Sequence, residues 1–173
     1  MNDLELKQII EALLLSHQGP LSLEKMRLVF SEEHKPDLKQ LKSLLLVLKS
    51  EYSIRPCELI EVAEGYVVQT KKEYAPWIAR LHADKPVKYS RALLEILAII
   101  AYKQPVTRSD IEDIRGVAVS SQIIKTLMER EWIEIAGYKD VPGKPAIYCT
   151  SKEFLNYFNL CQLNELPSLE LRL

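Results

Sequence analysis

Three stretches of helical apolar spacing followed by a stretch of period two, and then the same series again, predict a mostly α protein with small β-hairpins. The fold class is α+β, arranged as two tandem winged-helix domains. The spacing of the apolar residues carries the helices. The switch from a period of 3.6 to a period of 2 carries the hairpins, and the recurrence of both in the second half carries the tandem arrangement.

In the first half, Leu6, Ile9, Ile10, Leu13 and Leu14 predict an amphipathic helix over residues 3–16. Gln18-Gly19-Pro20 ends it, glycine turning the chain and proline refusing the helix. Ser22 caps a second helix carrying Leu23, Met26, Val29 and Phe30. Pro36-Asp37 opens a third, with Leu38, Leu41, Leu44, Leu45 and Leu48 along it. After Tyr52, residues Leu59 to Val62 and Tyr66 to Val68 read as strands, with Glu64-Gly65 at the bend.

The second half is densest between Tyr89 and Gly116. Ser90 caps a helix with Leu93, Leu94, Ile96, Leu97, Ile99 and Ile100, more than one stripe, so protein should sheathe most of it. It stops before Pro105. Thr107 starts a short helix with Asp110 placed for a capping box, and Ile111 and Ile114 are its expected buried edge. Gly116 breaks that helix. Ser120 or Ser121 begins another, expected to bury Ile123, Ile124, Leu127 and Met128. Ile60-Glu61-Val62 then matches Ile133-Glu134-Ile135, and Val67 to Tyr74 matches Ile147 to Phe154. The offsets, 73 and 80, make the second wing seven residues longer, with the extra length in a Gly- and Pro-rich tip from Gly137 to Pro145.

Between the halves, Tyr74, Trp77, Ile78 and Leu81 predict a short amphipathic helix, and residues 82–88 an extended linker stiffened by Pro86. Phe154 to Phe158 is its counterpart after the second wing. The expected domains are 1–83, 84–160 and a short tail, 161–173, that docks on a partner or frays.

The composition, 47% hydrophobic and 27% charged with a net charge of −1, is that of a globular protein rather than a body built to sit on phosphates. Neither a signal segment nor an eighteen-residue apolar run is present, so a cytoplasmic chain without a membrane partner is expected. Cys57, Cys149 and Cys161 are odd in number and lack C-x-x-C spacing, which argues against disulfides and zinc. Gly137…Gly143-Lys144 has the wrong spacing for a phosphate loop and is followed by Pro145. With no serine elbow or H-E-x-x-H, the expectation is no enzyme, no cofactor and no small-molecule substrate.

DNA binding is the rival function, because a helix-turn-helix unit often sends its third helix into the major groove. In the second half that helix would point Ser121, Gln122, Lys125 and Glu129 outward, where the charges cancel. Lys35, Lys39, Lys42 and Lys49 form a possible stripe in the first half. The run Leu44 to Leu48 exceeds what one small core can cover, so Leu44, Leu46 and Val47 are expected at a dimer interface.

RALLEILAIIAYKQPVTRSDIEDIRGV, GYKDVPGKPAIYCTSKEFLNYF and the final LNELPSL resemble the segregation and condensation protein B family, across Leu4 to Leu169. The resemblance implies a non-enzymatic accessory subunit of the SMC–kleisin condensin, acting in chromosome condensation and segregation at the nucleoid. It implies a homodimer joined through the N-terminal domains. It further implies that the C-terminal domains bind the kleisin, segregation and condensation protein A, and through it the SMC ATPase. Direct DNA binding should be weak or absent; the alternative is a winged-helix transcriptional regulator. The family pattern has glycine where this chain has Glu131 and Asn159. For the kleisin, the expected contacts are Tyr89, Arg91, Tyr102, Arg108, Arg115 and Tyr138, aromatic and cationic residues with no evident duty in the core.

Overall fold

The computed structural model describes residues 2–82 and 88–168. The expected 83/84 boundary, most of the linker and the end of the tail lie outside the described residues. The chain divides into two compact units, Met1–Pro86 with Asn159–Cys161 and Val87–Phe158 with Gln162–Leu173.

The first unit has three helices, α1 (Asp3–Ser16), α2 (Leu23–Leu28) and α3 (Leu38–Tyr52), then strands β1 (Cys57–Val62) and β2 (Gly65–Thr70). Asn2 and Glu5 close α1 with a reciprocal capping box, while Ser22 and Asp37 cap α2 and α3. Leu6, Ile10 and Leu14 of α1 meet Met26 and the α3 residues Leu41, Leu44, Leu45, Leu48 and Tyr52 in one core. The hairpin turns on Ala63-Glu64, because Val62 pairs with Gly65. Gly65 is therefore the first strand residue rather than part of the bend, and its lack of a side chain serves a close approach. Its φ is +139°, and a Cβ there would sit 2.3 Å from the Leu21 carbonyl oxygen. Leu21 exchanges two backbone hydrogen bonds with Tyr66, of 2.9 and 3.0 Å. The Ala63 N–H donates to the Leu160 carbonyl, which joins residues 159–161 to this unit. After β2, α4 (Ala75–His82) forms as expected, yet its apolar stripe is not a buried one: Trp77 is 64% and Leu81 80% exposed.

The second unit repeats the order: α5 (Arg91–Lys103), α6 (Arg108–Arg115), α7 (Ser121–Glu129), β4 (Ile133–Tyr138), β5 (Ala146–Thr150) and α8 (Lys152–Tyr157). A two-residue strand, β3 (Val106–Thr107), precedes α6 and pairs with β5, giving the sheet order β3-β5-β4. Sequence reasoning missed it. Its equivalent in the first unit is the Leu21 bridge, since both follow a proline and lead into a capping Ser or Thr. Thr107 and Asp110 form the expected capping box, and Gly116, at φ +68°, closes α6. Ile111 is fully buried, but Ile114 is 52% exposed, so α6 buries one isoleucine and presents the other. Ile124 and Leu127 of α7 are buried, whereas Met128 is 39% exposed.

The hairpin registers correct the repeat alignment. Thr70 stands opposite Cys57 and Thr150 opposite Ile133, so Ile133 corresponds to Cys57 and not to Ile60. Strand alternation is self-similar and lets a sequence match slip. A bulge between Ile135 and Gly137 absorbs one residue of the longer wing.

Both departures from glycine fall at left-handed positions, Glu131 at φ 56° and Asn159 at φ 58°. At the end of α7 the Glu131 N–H bonds to Met128 O at 2.9 Å and the Trp132 N–H to Leu127 O at 3.0 Å. This is the Schellman ending, with Trp132 and Leu127 supplying its apolar contact from buried positions. A glutamate can hold it, at a conformational cost of roughly 1 kcal/mol.

Candidate functional site

Helix α5 is apolar on most of its surface, but the unit covers only part of it. Leu93, Ile96, Leu97, Ile100 and Ala101 point into the core. On the other side, Glu95, Ala98, Ile99 and Tyr102, spaced i, i+3, i+4 and i+7, form the floor of an open groove of about 290 Å³. Ile114 of α6 makes the opposite wall, and Lys103 closes one end. From Glu95 to Tyr102, eight residues of helix, the groove is roughly 10 Å long. Such a floor accepts an apolar helical or extended segment from elsewhere.

Of the six residues expected at this face, Tyr102 lines the groove. Its hydroxyl also donates to the Pro167 carbonyl at 2.6 Å. Arg115 stands behind the rim, where one Nη donates to Glu95 Oε2 at 3.1 Å and the other to the Ala118 carbonyl at 3.4 Å. Its side chain is only 9% exposed, and its Nε is buried without a partner in the described structure. Arg115 thus positions Glu95 rather than offering a free guanidinium.

The other four lie away from the groove lining. Arg108 donates to Glu112 Oε1 at 3.0 Å, to Ser121 Oγ at 2.9 Å and to the Val119 carbonyl, fastening α6 to the start of α7. The Val119 N–H and then Arg108 hold the Glu112 carboxyl below its usual range. Tyr89 belongs to an aromatic cluster. Its hydroxyl lies 2.9 Å from that of Tyr157 and accepts a hydrogen bond from Arg130, whose guanidinium stacks 4.8 Å from the Tyr89 ring and 5.3 Å from Trp132. The Tyr89 hydroxyl, with burial second, pushes the Tyr157 phenol up. Arg91, the first residue of α5, is exposed, and Tyr138 is 64% exposed at the end of β4. Next to it, Lys139 lies 3.6 Å from Asp110, whose carboxyl is held low chiefly by Thr107 and less by Lys139.

A second groove, of about 240 Å³, lies in the first unit between α3 and the hairpin. Leu45, Leu46, Leu59 and Tyr66 line it, with Lys42, Lys49 and Glu61 at its edges. Burial, reinforced by a hydrogen bond with Glu61, raises the Tyr66 phenol. Leu46 is 68% and Val47 47% exposed, as a docking surface requires. Leu44 is only 7% exposed and belongs to the core, so its side chain is not free surface. Lys35 pairs with Glu32 at 2.7 Å and precedes α3, so the lysine stripe on that helix reduces to Lys39, Lys42 and Lys49. On α7, Lys125 and Glu129 are 3.6 Å apart, the cancellation expected there.

Among the described residues Cys57, Cys149 and Cys161 form no disulfide, and burial followed by Glu134 pushes Cys149 up. Among the described residues no cluster of His, Cys, Asp and Glu is placed to hold a metal, and no helix is long and apolar enough to cross a membrane.

A family model described as segregation and condensation complex subunit ScpB matches residues 8–169. The chain belongs to the ScpB family. The segregation and condensation protein B homolog of Coxiella burnetii is 49% identical over 170 residues, covering 98% of this chain and 81% of that protein. Segregation and condensation protein B of Syntrophotalea carbinolica is 46% identical over 172 residues, covering 98% and 85%. The crystal structure of ScpB from Mycobacterium tuberculosis shares 30% identity over 92% of this chain and 98% of that one, with a TM-score of 0.43. ScpB membership makes the chain a subunit of a segregation and condensation complex. Of the groove residues, Ile99 and Ile114 were read from the sequence as buried apolar positions and Ala98 was not named, so none of the three was expected at a binding site. The signal for two of them was there, in apolar residues on α5 beyond the number one stripe can bury.

Proposed function

We propose that this ScpB-family chain is a non-enzymatic scaffold that binds the kleisin, segregation and condensation protein A, and through it the SMC ATPase. The observation that carries this reading is the open apolar groove on the outer side of α5, walled by Ile114. An amphipathic kleisin segment lays its apolar side on Ala98, Ile99, Tyr102 and Ile114. Lys103 then meets an acidic residue of that segment, and Glu95, fixed by Arg115, a basic one. Arg91 and Tyr138 are exposed and contact the segment beyond the groove, while Arg108 and Tyr89 are held by partners within the unit and serve its packing. Both units are read as winged helices, 1–83 serving dimerisation and 84–160 serving the kleisin. Leu46 and Val47 supply the apolar surface of the homodimer. The protein works in the cytoplasm at the nucleoid, without a cofactor.

The regulator reading is weaker, because the outward face of α7 carries a paired lysine and glutamate rather than free cations. Affinity for random duplex DNA is expected to be weaker than about 10⁻⁶ M at physiological salt. The reading is tested by calorimetric titration of the purified kleisin into the full chain, with a DNA titration beside it. Kleisin binding near one segment per chain is the expected result; tight, steeply salt-dependent DNA binding without kleisin binding would reverse the assignment.

A further inference from the structure

The second unit carries a strap that ends on the groove. Gln162 to Pro167 runs through a 3₁₀ turn at Leu163–Glu165, in which the Glu165 N–H bonds to Gln162 O and the Leu166 N–H to Leu163 O, at 3.2 and 3.1 Å. Leu163 and Leu166 are half-buried. Pro167, with its fixed φ, presents its carbonyl to the Tyr102 hydroxyl at 2.6 Å, a contact between residues 65 apart in sequence. Tyr102 is also one of the six side chains lining the α5 groove.

A phenol has one proton to donate. While Tyr102 gives it to Pro167, the same hydroxyl cannot donate to a segment entering the groove. We propose that the strap Gln162–Pro167 is a built-in competitor for the groove, latched by Tyr102, and that a partner segment seats fully only when the latch opens. This rests on the groove being the kleisin site. It adds regulation: apparent affinity is reduced by the fraction of molecules whose strap is closed. A neutral hydrogen bond of ordinary net strength sets that reduction at about three- to tenfold.

Two variants of the full chain open the latch from opposite sides. Tyr102→Phe keeps the ring on the groove floor and removes the donor. Leu163→Ser combined with Leu166→Ser loosens the strap and keeps Tyr102. Hydrogen exchange followed by mass spectrometry on the peptide spanning 162–168, without kleisin, reads the latch; both variants are expected to exchange faster there than wild type. Calorimetry with the purified kleisin reads the competition: the double leucine variant, which frees the Tyr102 hydroxyl, is expected to bind about three- to tenfold more tightly, whereas Tyr102→Phe, with no proton to give to strap or partner, is expected to gain less. Unchanged exchange in Tyr102→Phe overturns the latch. Faster exchange with equal or weaker kleisin binding in the double leucine variant overturns the competition while leaving the groove assignment standing. Absence of kleisin binding by wild type and both variants removes the groove assignment, and the competition with it.

Discussion

Replacing Ile114 with aspartate separates the groove from the fold that carries it. Ile114 is 52% exposed, so about half of its side chain already supports the unit and about half awaits a partner. Covering the exposed half with an apolar segment contributes on the order of 1 kcal/mol. An aspartate in its place gives no such contribution. Its carboxylate would also lose water against the apolar side of the segment, costing about 1–3 kcal/mol more. Together these predict a loss of roughly 2–4 kcal/mol in kleisin affinity, about thirtyfold or more. The cost to folding is smaller. The covered half of the isoleucine is lost, about 1 kcal/mol, and an acid in the last turn of α6 adds a few tenths through the helix dipole. Calorimetry measures the binding, and urea unfolding followed by circular dichroism measures the fold. Wild-type affinity in a folded Ile114→Asp chain would refute the reasoning, as would a loss of binding that merely tracks unfolding. Arg115→Ala is a poorer probe. Its buried side chain holds Glu95 and the Ala118 carbonyl, so its removal lowers stability along with any effect on binding.

Three further outcomes are expected. Combining Leu46→Lys with Val47→Glu should convert the proposed homodimer to a monomer by light scattering, since each change puts a charge on the exposed apolar side of α3 and leaves its buried side intact; an unchanged dimer would move the interface elsewhere, and a monomeric wild type would remove it. Gly65→Ala should destabilise by about 3 kcal/mol or more, because a Cβ 2.3 Å from the Leu21 carbonyl forces apart the Leu21–Tyr66 bridge. Denaturant unfolding would show it, and a change below 1 kcal/mol would contradict the close approach. Glu131→Gly should stabilise by about 0.5–1 kcal/mol, relief of the left-handed strain outweighing the extra freedom of the unfolded glycine; a lower melting temperature would show that the glutamate side chain does something the backbone argument omits.

Features set by neighbouring residues were legible in the sequence. Ser90, the Thr107–Asp110 box and the Gly116 ending of α6 are local, and each stands where its spacing placed it. The order of the α-helices and the two hairpins was legible as well; β3 and the 3₁₀ turn at Leu163–Glu165 were not. Val106 becomes a strand only because Tyr148, far along the chain, pairs with it, and nothing in two residues announces that. Burial was legible where helical spacing was followed through. Leu41, Leu44, Leu45 and Leu48 occupy one face of α3, so Leu44 belongs inside by its spacing, and its assignment to an interface came from counting apolar residues rather than placing them. The site was less legible, because it depends on which tertiary partners are absent. Ile114 reads as core by periodicity, and only the packed unit shows that no element covers it. Arg108 reads as a free cation until the α6–α7 turn closes around it.

The central claim is that the α5 groove holds the kleisin. A photo-crosslinking amino acid placed at Ala98, an exposed residue on the groove floor, tests it inside living cells without relying on affinity. Irradiation is expected to give an adduct between this chain and the kleisin, with the crosslinked peptide mapping to one amphipathic kleisin segment and the yield falling in the Ile114→Asp background. Adducts with other proteins but none with the kleisin, or a kleisin yield unchanged by Ile114→Asp, would contradict it.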